Sequence, residues 1–295
     1  MNVSIIIPNW NGIELLAKNI PFVLTAIGNK KNKIIETIVV DDGSTDKSIS
    51  FLQKNYLGNI KIIKHTKNRG FSSAVNTGVR SAKGEIVVLL NTDVRPEKDF
   101  LVTTLPVFRD KDIFAVAFHE PGRGMTKGVF RDGYIMHDPV PEKGQIHETF
   151  WVSGGSGAFR RKAWTALGGM DEKLLSPLYW EDVDLSYRAL KRGYKLVWDP
   201  GAIVHHEPES TTGKLPKNYV RNIQERNHLL FIWKNLTSPN LIRKHIVGIV
   251  KRVISGPGYI KIVIMALFKL GIVLRQRLRE KKEAKISDEA IFAKY

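Results

Sequence analysis

The chain contains no cysteine, which excludes disulfide bonds and thiolate metal sites outright. A reducing compartment fits that absence. It also lacks any run of about 20 uninterrupted apolar residues, the length that a bilayer-spanning helix needs. The nearest stretch, Ile260 to Leu274, is short and carries Lys261 and Lys269, so no conventional spanning helix is expected. The opening "MNVSIIIPNWNG" has no basic segment ahead of its apolar run and reads as a first strand, not a signal peptide. There is no Walker A sequence and no G-x-G-x-x-G after that strand, which argues against P-loop and dinucleotide enzymes. Carboxylates are scarce too. Asp and Glu number 29 against 46 Lys and Arg, a formal charge of +17. That excess favours a polyanionic neighbour such as nucleic acid, anionic lipid or a phosphorylated substrate.

What is present fits a folded chain of one large domain, or one domain with a substantial appendage. The 295 residues are 43% hydrophobic, enough for a sizeable core. Over the first hundred residues, short apolar runs ("SIIIP", "ETIVVDD", "IKIIKHT", "EIVVLL") alternate with helical patterns. Continuous apolar strands between helices imply a mostly parallel sheet covered on both faces, an α/β fold. Asn9, Asp41, Asp42, Asn91 and Asp93 follow the strand ends, along the carboxyl edge where such sheets bind ligands. From Phe114 to Phe150 the pattern weakens, and "EPGRGMTKG" and "HDPVPEKGQ" read as mobile, substrate-facing loops. A Gly-rich turn, strand and helix follow in "WVSGGSGAFRRKAWTALGG". Beyond Lys217 the chain reads as helices broken at "TSPN" and "GPG".

Several residues have side chains suited to chemistry. Asp93 of "NTD" can ligate a hard divalent cation that bridges a diphosphate; capping a turn is its plain structural role. Asp41 and Asp42 can accept hydrogen bonds from a base N–H or a ribose hydroxyl, and Asp46 suits a helix cap. In "NRGFSSAVNTGV", Gly70 permits close approach of ligand at a helix N-terminus hospitable to phosphate. His205 and His206 end a strand and are either metal ligands or simply part of the surface. In "YWEDVDLSYR", Asp184 and Arg188 are four apart and pair on one helix face. Glu181 and Asp182 both stand at the helix entry, where one can act as a base; local spacing does not choose between them.

In order, the segments "SIIIPNWNG", "VVDDGSTD", "NRGFSSAVNTG", "LLNTDVRP", "SGGSGAFRRKAW", "WEDVDLSYR" and "VHHEPES" resemble the family 2 glycosyltransferases, inverting enzymes of the GT-A fold. The match spans Val3 to Ser210, about two thirds of the chain, and is most similar to the rhamnosyltransferase-like branch that decorates bacterial surface polysaccharides. The resemblance implies a UDP-, dTDP- or GDP-sugar donor and a glycan or lipid-linked acceptor. It implies that Asp41 contacts the base, with Pro8 and Asn9 lining its pocket and Asp42, Asn68, Gly70 and Asn76 in the donor-binding motifs. Asp93 would hold Mg²⁺ or Mn²⁺ with His205, while Asn91 replaces the first acid of the family's D-x-D motif. Gly154 and Gly155 would belong to the donor-sugar and acceptor turn, and Asp182 would be the general base. Tyr179 and Trp180 are candidate walls for a sugar ring, with core packing as their other role. A non-catalytic nucleotide-sugar or glycan-binding protein on the same fold is the competing reading.

The expected division is a GT-A domain over 1–216 and a basic helical region over 217–295. From Pro239 onward there are 13 Lys and Arg against 4 Asp and Glu, a net of +9. Apolar stripes with interspersed cations suit packing on the domain, in-plane contact with an anionic membrane, or a homodimer interface. No nucleic-acid recognition motif accompanies the charge, so nucleic acid is not an expected partner. The expected location is the cytoplasm, peripheral on the inner membrane face.

Overall fold

The computed structural model describes residues 1–207 and 216–295. The last residues of "VHHEPES", Pro208, Glu209 and Ser210, lie outside them. The chain runs β1 (Val3–Asn9), α1 (Ile13–Gly28), β2 (Ile34–Asp41), α2 (Ser48–Tyr56), β3 (Lys61–Lys64), α3 (Phe71–Ser81), β4 (Ile86–Leu90), β5 (Val94–Pro96) and α4 (Thr104–Val107). It continues through β6 (Ile113–His119), β7 (Thr126–Arg131), β8 (Tyr134–Pro139), β9 (His147–Glu148), β10 (Ser156–Arg160), α5 (Arg161–Leu167), α6 (Glu181–Lys191) and β11 (Lys195–His206). Five helices end it: α7 (Lys217–Asn235), α8 (Pro239–Ser255), α9 (Tyr259–Leu267), α10 (Leu270–Glu283) and α11 (Asp288–Lys294).

The central sheet has the order β3-β2-β1-β4-β10-β6-β11-β5, with β9 paired to β11. β1 to β4 are parallel, and β10 inserts antiparallel between β4 and β6. This is the mixed, mostly parallel α/β sheet of the GT-A fold. Ile5, Ile6, Val39, Val40, Val88 and Leu89 are all fully buried because helices cover both faces. Each such side chain contributes about 1.5–3 kcal/mol of burial. Alternate residues feed two cores: Ile6, Val40 and Leu89 face one, Ile5, Val39 and Val88 the other. Gly78 lets α3 settle on the sheet, since a β-carbon there would lie 2.4 Å from Ile6 Cγ2. β1 connects outward to β2, whereas β4 lies on β1's other side. That reversal leaves a crevice at the carboxyl ends of β1 and β4.

The Phe114–Phe150 stretch holds loops at 121–125 and 140–146, overlapping the segments read as loops, but more strand than its composition suggests. Ile113–His119 is a central strand, and β7 and β8 form a hairpin. The signal was Asp132-Gly133: both adopt positive φ, +53° and +87°, as a two-residue type I′ hairpin turn demands. The turn is docked on α8, where His245 Nδ1 lies 2.6 Å from the Gly133 carbonyl oxygen and a β-carbon on Gly133 would meet Gly248 Cα at 3.0 Å.

The helical end of the chain follows the breaks in its sequence. Ser238 caps α8, its Oγ accepting from Leu241 N at 3.3 Å, with Pro239 in the first turn. Ser287 caps α11 in the same way, at 3.1 Å from Ala290 N. The second half of α7 is mostly buried, and the helix presses on the turn before α6. There Tyr179 and Trp180 hold φ of +72° and +76°, costing about 1–3 kcal/mol each for non-glycine residues. Asn227 of α7 holds that turn by donating Nδ2 to the carbonyls of Leu178 and Tyr179, at 2.9 and 3.2 Å. Trp180 stacks on His228 with ring centroids 4.0 Å apart. It is therefore core packing, not a sugar wall.

Candidate functional site

A cavity of about 820 Å³ opens at the crevice. Pro8 and Asn9 from the end of β1, Asp42 beyond β2, Asn68 and Gly70 before α3, and Asn91 and Asp93 beyond β4 all line it. Gly155 lines it from the Gly-rich turn, and Glu181 and Asp182 from the start of α6. Six chain segments thus bring chemistry-bearing residues to one place, because each ends at the same sheet edge or faces it.

Four of the residues expected at the site are absent from the cavity wall: Asp41, Asn76, Gly154 and His205. Asp41 is fully buried behind it and accepts from Asn9 Nδ2 at 2.9 Å and Ser44 N at 3.0 Å. It holds Asn9, which does line the wall. Asn76 is spent on the protein interior, donating to the Met170 carbonyl at 2.8 Å and accepting from Trp164 Nε1 at 3.2 Å. His205 turns to Glu97, 2.7 Å away. Its neighbour His206 instead lies 3.4 Å from Asp93 and 3.2 Å from Glu120. Successive strand residues point to opposite faces, and His206 shares the face of the buried Ala202 and Val204. Pairing of β11 with β5 sets His206 opposite Val94, adjacent to Asp93.

Asp42 also differs from its expected role. Its carboxylate accepts from the backbone N–H groups of Arg69 at 3.0 Å and Gly70 at 2.7 Å, and lies 2.6 Å from His65 Nδ1. An internal carboxylate therefore already occupies the entry to α3 where a phosphate was expected.

Glu181 and Asp182 now separate. Gly154 N donates to Asp182 Oδ2 at 3.2 Å, and Val183 N to Oδ1 at 2.8 Å. Burial raises the pKa of Asp182, while these N–H groups favour its ionised form. Glu181 is more buried, and its Oε2 has no hydrogen-bond partner. Burial first, and the Asp182 charge second, push its pKa well up. Of the pair, Asp182 is the one set up to carry the negative charge. Gly154 lies against it, with a built β-carbon 3.4 Å from Asp182 Cβ. Gly155 lies against Asn91, where a β-carbon would come within 2.3 Å of Nδ2.

The cavity carries four carboxylates, Asp42, Asp93, Glu181 and Asp182, but only Arg123 and His206 as basic groups. An acidic pocket in so basic a chain is suited to holding a cation. Asp93 is buried, and its Oδ1 has no close hydrogen bond beyond the 3.4 Å approach of His206 Nε2. The His206 pKa is raised to about 9 by the carboxylates of Asp93 and Glu120 beside it. No cluster of three or more potential ligands is assembled among the described residues. Two protein donors are nonetheless a fitting set for Mg²⁺ or Mn²⁺, which commonly take one or two side chains and complete their shell with phosphate oxygens and water. Trp10, Arg123 and Tyr219 also line the cavity, from a loop, a surface turn and α7; Trp10 and Arg123 lie in segments singled out above, but nothing in the sequence marked Tyr219.

The sequence pattern of Glycosyl transferase family 2 matches residues 4–165. An N-acetylglucosaminyl-diphospho-decaprenol L-rhamnosyltransferase of Mycobacterium tuberculosis is 25% identical over 235 residues, 67% of this chain and 74% of that protein. Across three other curated relatives, this chain spans 27%, 36% and 37% of their lengths. Among solved structures, GalNAc-T7 with UDP, GalNAc and Mn²⁺ superposes with a TM-score of 0.64 at 18% identity, over 81% of this chain and 48% of that one. A mannosyltransferase from Pyrobaculum calidifontis in complex with GDP-Man and Mn²⁺ gives 0.58 at 18% identity, over 96% and 84%.

Proposed function

The chain belongs to glycosyl transferase family 2, and from that premise we propose that it is an inverting, metal-dependent glycosyltransferase. It moves a hexosyl or deoxyhexosyl group from a UDP-, dTDP- or GDP-sugar to a glycan or lipid-linked acceptor in bacterial surface polysaccharide synthesis. Donor binding and catalysis fall to residues 1–216, with Tyr219 of the following region completing the wall. The observation that carries the reading is the placing of Asp182 in the same cavity as the Asp93–His206 pair.

Single displacement needs one base and positive charge at the leaving group. Asp182 takes the proton of the acceptor hydroxyl as that oxygen attacks the anomeric carbon and the bond to the diphosphate breaks. The Gly154 N–H fixes one carboxylate oxygen, and burial makes the carboxylate more basic than a solvated one. Asp93 and His206 would hold the divalent ion, which supplies positive charge for the departing diphosphate. Asn9, held by Asp41, orients the nucleotide end, and Tyr179 offers a ring face to sugar.

Asp182→Asn keeps the shape and removes the base. Transfer should fall by at least about 10²-fold, with donor affinity, measured by calorimetry, changed less than about threefold. Turnover retained in this variant would reject Asp182 as base. Donor hydrolysis or transfer measured with and without Mn²⁺ separates the enzyme from a binding protein: absence of both across UDP-, dTDP- and GDP-sugars would favour the latter.

A further inference from the structure

Residues 239 to 279 contain nine Lys and Arg and no Asp or Glu. The same residues form α8, α9 and most of α10, whose inner faces pack through Leu241, His245, Ile262, Ala266 and Val273. Their outer faces are apolar. Val250 and Ile254 on α8 are 52% and 75% exposed, Ile264 and Phe268 at α9 are 47% and 86%, and Leu274 and Leu278 on α10 are 52% and 72%. Each pair is four residues apart and so shares a helix face. Lys251, Lys261 and Arg275 are exposed on the same helices. Monomeric proteins rarely leave so many large apolar side chains in water.

We propose that α8–α10 form a surface that lies in the plane of an anionic lipid bilayer. The apolar side chains would enter the acyl boundary and the cations would meet the lipid phosphates. Charge selects this occupant. A second copy of the chain would bring the same cationic face, whose acids Glu280 and Glu283 are already paired with Arg192 and Arg279, and like charges would oppose each other across the contact. A nucleic acid would match the charge but leave Phe268, Ile254 and Leu278 uncovered. None of the described helices is long and apolar enough to cross a membrane, so the contact is along the surface. α7 connects this face to the cavity. Tyr219 near its start lines the cavity, and α9 and α10 pack along it. At 19 residues the helix spans about 28 Å. α7 thus links the proposed face to the cavity wall, although the surface itself does not depend on the transferase reading.

The test is co-sedimentation of the full chain with vesicles of phosphatidylcholine alone, or with about 30% phosphatidylglycerol added. Binding is expected only with the anionic lipid and should fall as salt rises. Lys251→Gln with Lys261→Gln should weaken it roughly tenfold or more. Ile254→Ser with Phe268→Ser should abolish it; both side chains already face solvent, and an unchanged melting temperature verifies the fold. Equal binding to the two lipid mixtures would overturn the proposal, as would anionic binding that neither variant pair reduces. A dimer dissolved by the Ile254/Phe268 variant, without vesicle binding, would assign the face to a second copy instead.

Discussion

His205 and His206 are neighbours in sequence but not in chemistry, because a strand sends them to opposite faces. One bonds Glu97 and the other faces Asp93. His206→Ala is therefore expected to raise the Mn²⁺ concentration for half-maximal activity tenfold or more. His205→Ala should shift it less than about twofold. A metal titration of the two variants checks this; the reverse ranking would restore His205 as the ligand. The pair also marks how far the sequence could locate the site. Strand ends followed by Asn or Asp placed Asn9, Asn91 and Asp93 at the sheet edge, and the structure puts all three on the cavity wall. The choice between adjacent residues was illegible wherever it rested on a facing that tertiary contacts decide. Asp41 yields the wall to Asp42, and Asn76 turns to Trp164 and Met170. Local spacing did not separate Glu181 from Asp182; the family resemblance named Asp182, and the hydrogen bond from Gly154, 28 residues earlier, is the structural difference between them.

The element that most changes the reading of the C-terminal region is its last helix. α11 buries Asp288 against α6, where it accepts from Tyr187 Oη at 2.7 Å and Lys191 Nζ at 2.6 Å, and also from the backbone N–H groups of Thr237 and Ser238. Tyr187 and Lys191 belong to the helix whose first turn carries Asp182, so α11 braces the helix proposed to carry the base. Asp288→Asn leaves the Lys191 charge buried without its counterion, and should cost about 3–5 kcal/mol in urea unfolding. Lys294→Gln removes a half-exposed pair with Glu148 on the same helix and should cost less than about 1 kcal/mol. Similar losses for both would mean that Asp288 acts only as a surface partner. Helices were the easy part of the fold to read, since "TSPN" and "GPG" interrupt strong apolar periodicity. The β7–β8 hairpin was harder: its strands are short and half-buried, and only the Asp-Gly turn signalled it. Docking of α11 on α6 joins residues about a hundred apart, which no local pattern encodes.

Across the whole molecule, the cations exposed on the helical face contrast with paired charges inside. Asp171, Asp184 and Asp288 are buried yet keep depressed pKa values, because charges and hydrogen-bond donors outweigh the burial that would raise them. For Asp171, Lys234 and the Leu174 N–H bring the value from 3.8 to about 2. A folded-state pKa below the unfolded one contributes stability that is present above the unfolded value and lost as pH falls through the folded value. Asp171→Asn should therefore be destabilised by about 2 kcal/mol at pH near 6, with the gap to the unaltered protein closing as pH drops from about 4 to 2. Glu181 has the opposite sign. Its raised folded pKa makes the folded chain bind more protons than the unfolded one, so its ionisation erodes stability as pH rises above the ordinary carboxylate range. Glu181→Gln, neutral at every pH, should match the unaltered protein near pH 4 and exceed it in melting temperature by pH 8. Melting curves of the three proteins between pH 2 and 8 test both signs together. Two variants whose differences run parallel with pH would show that neither carboxylate has a shifted pKa, and would remove the electrostatic ground for preferring Asp182 over Glu181 as the ionised member of the pair.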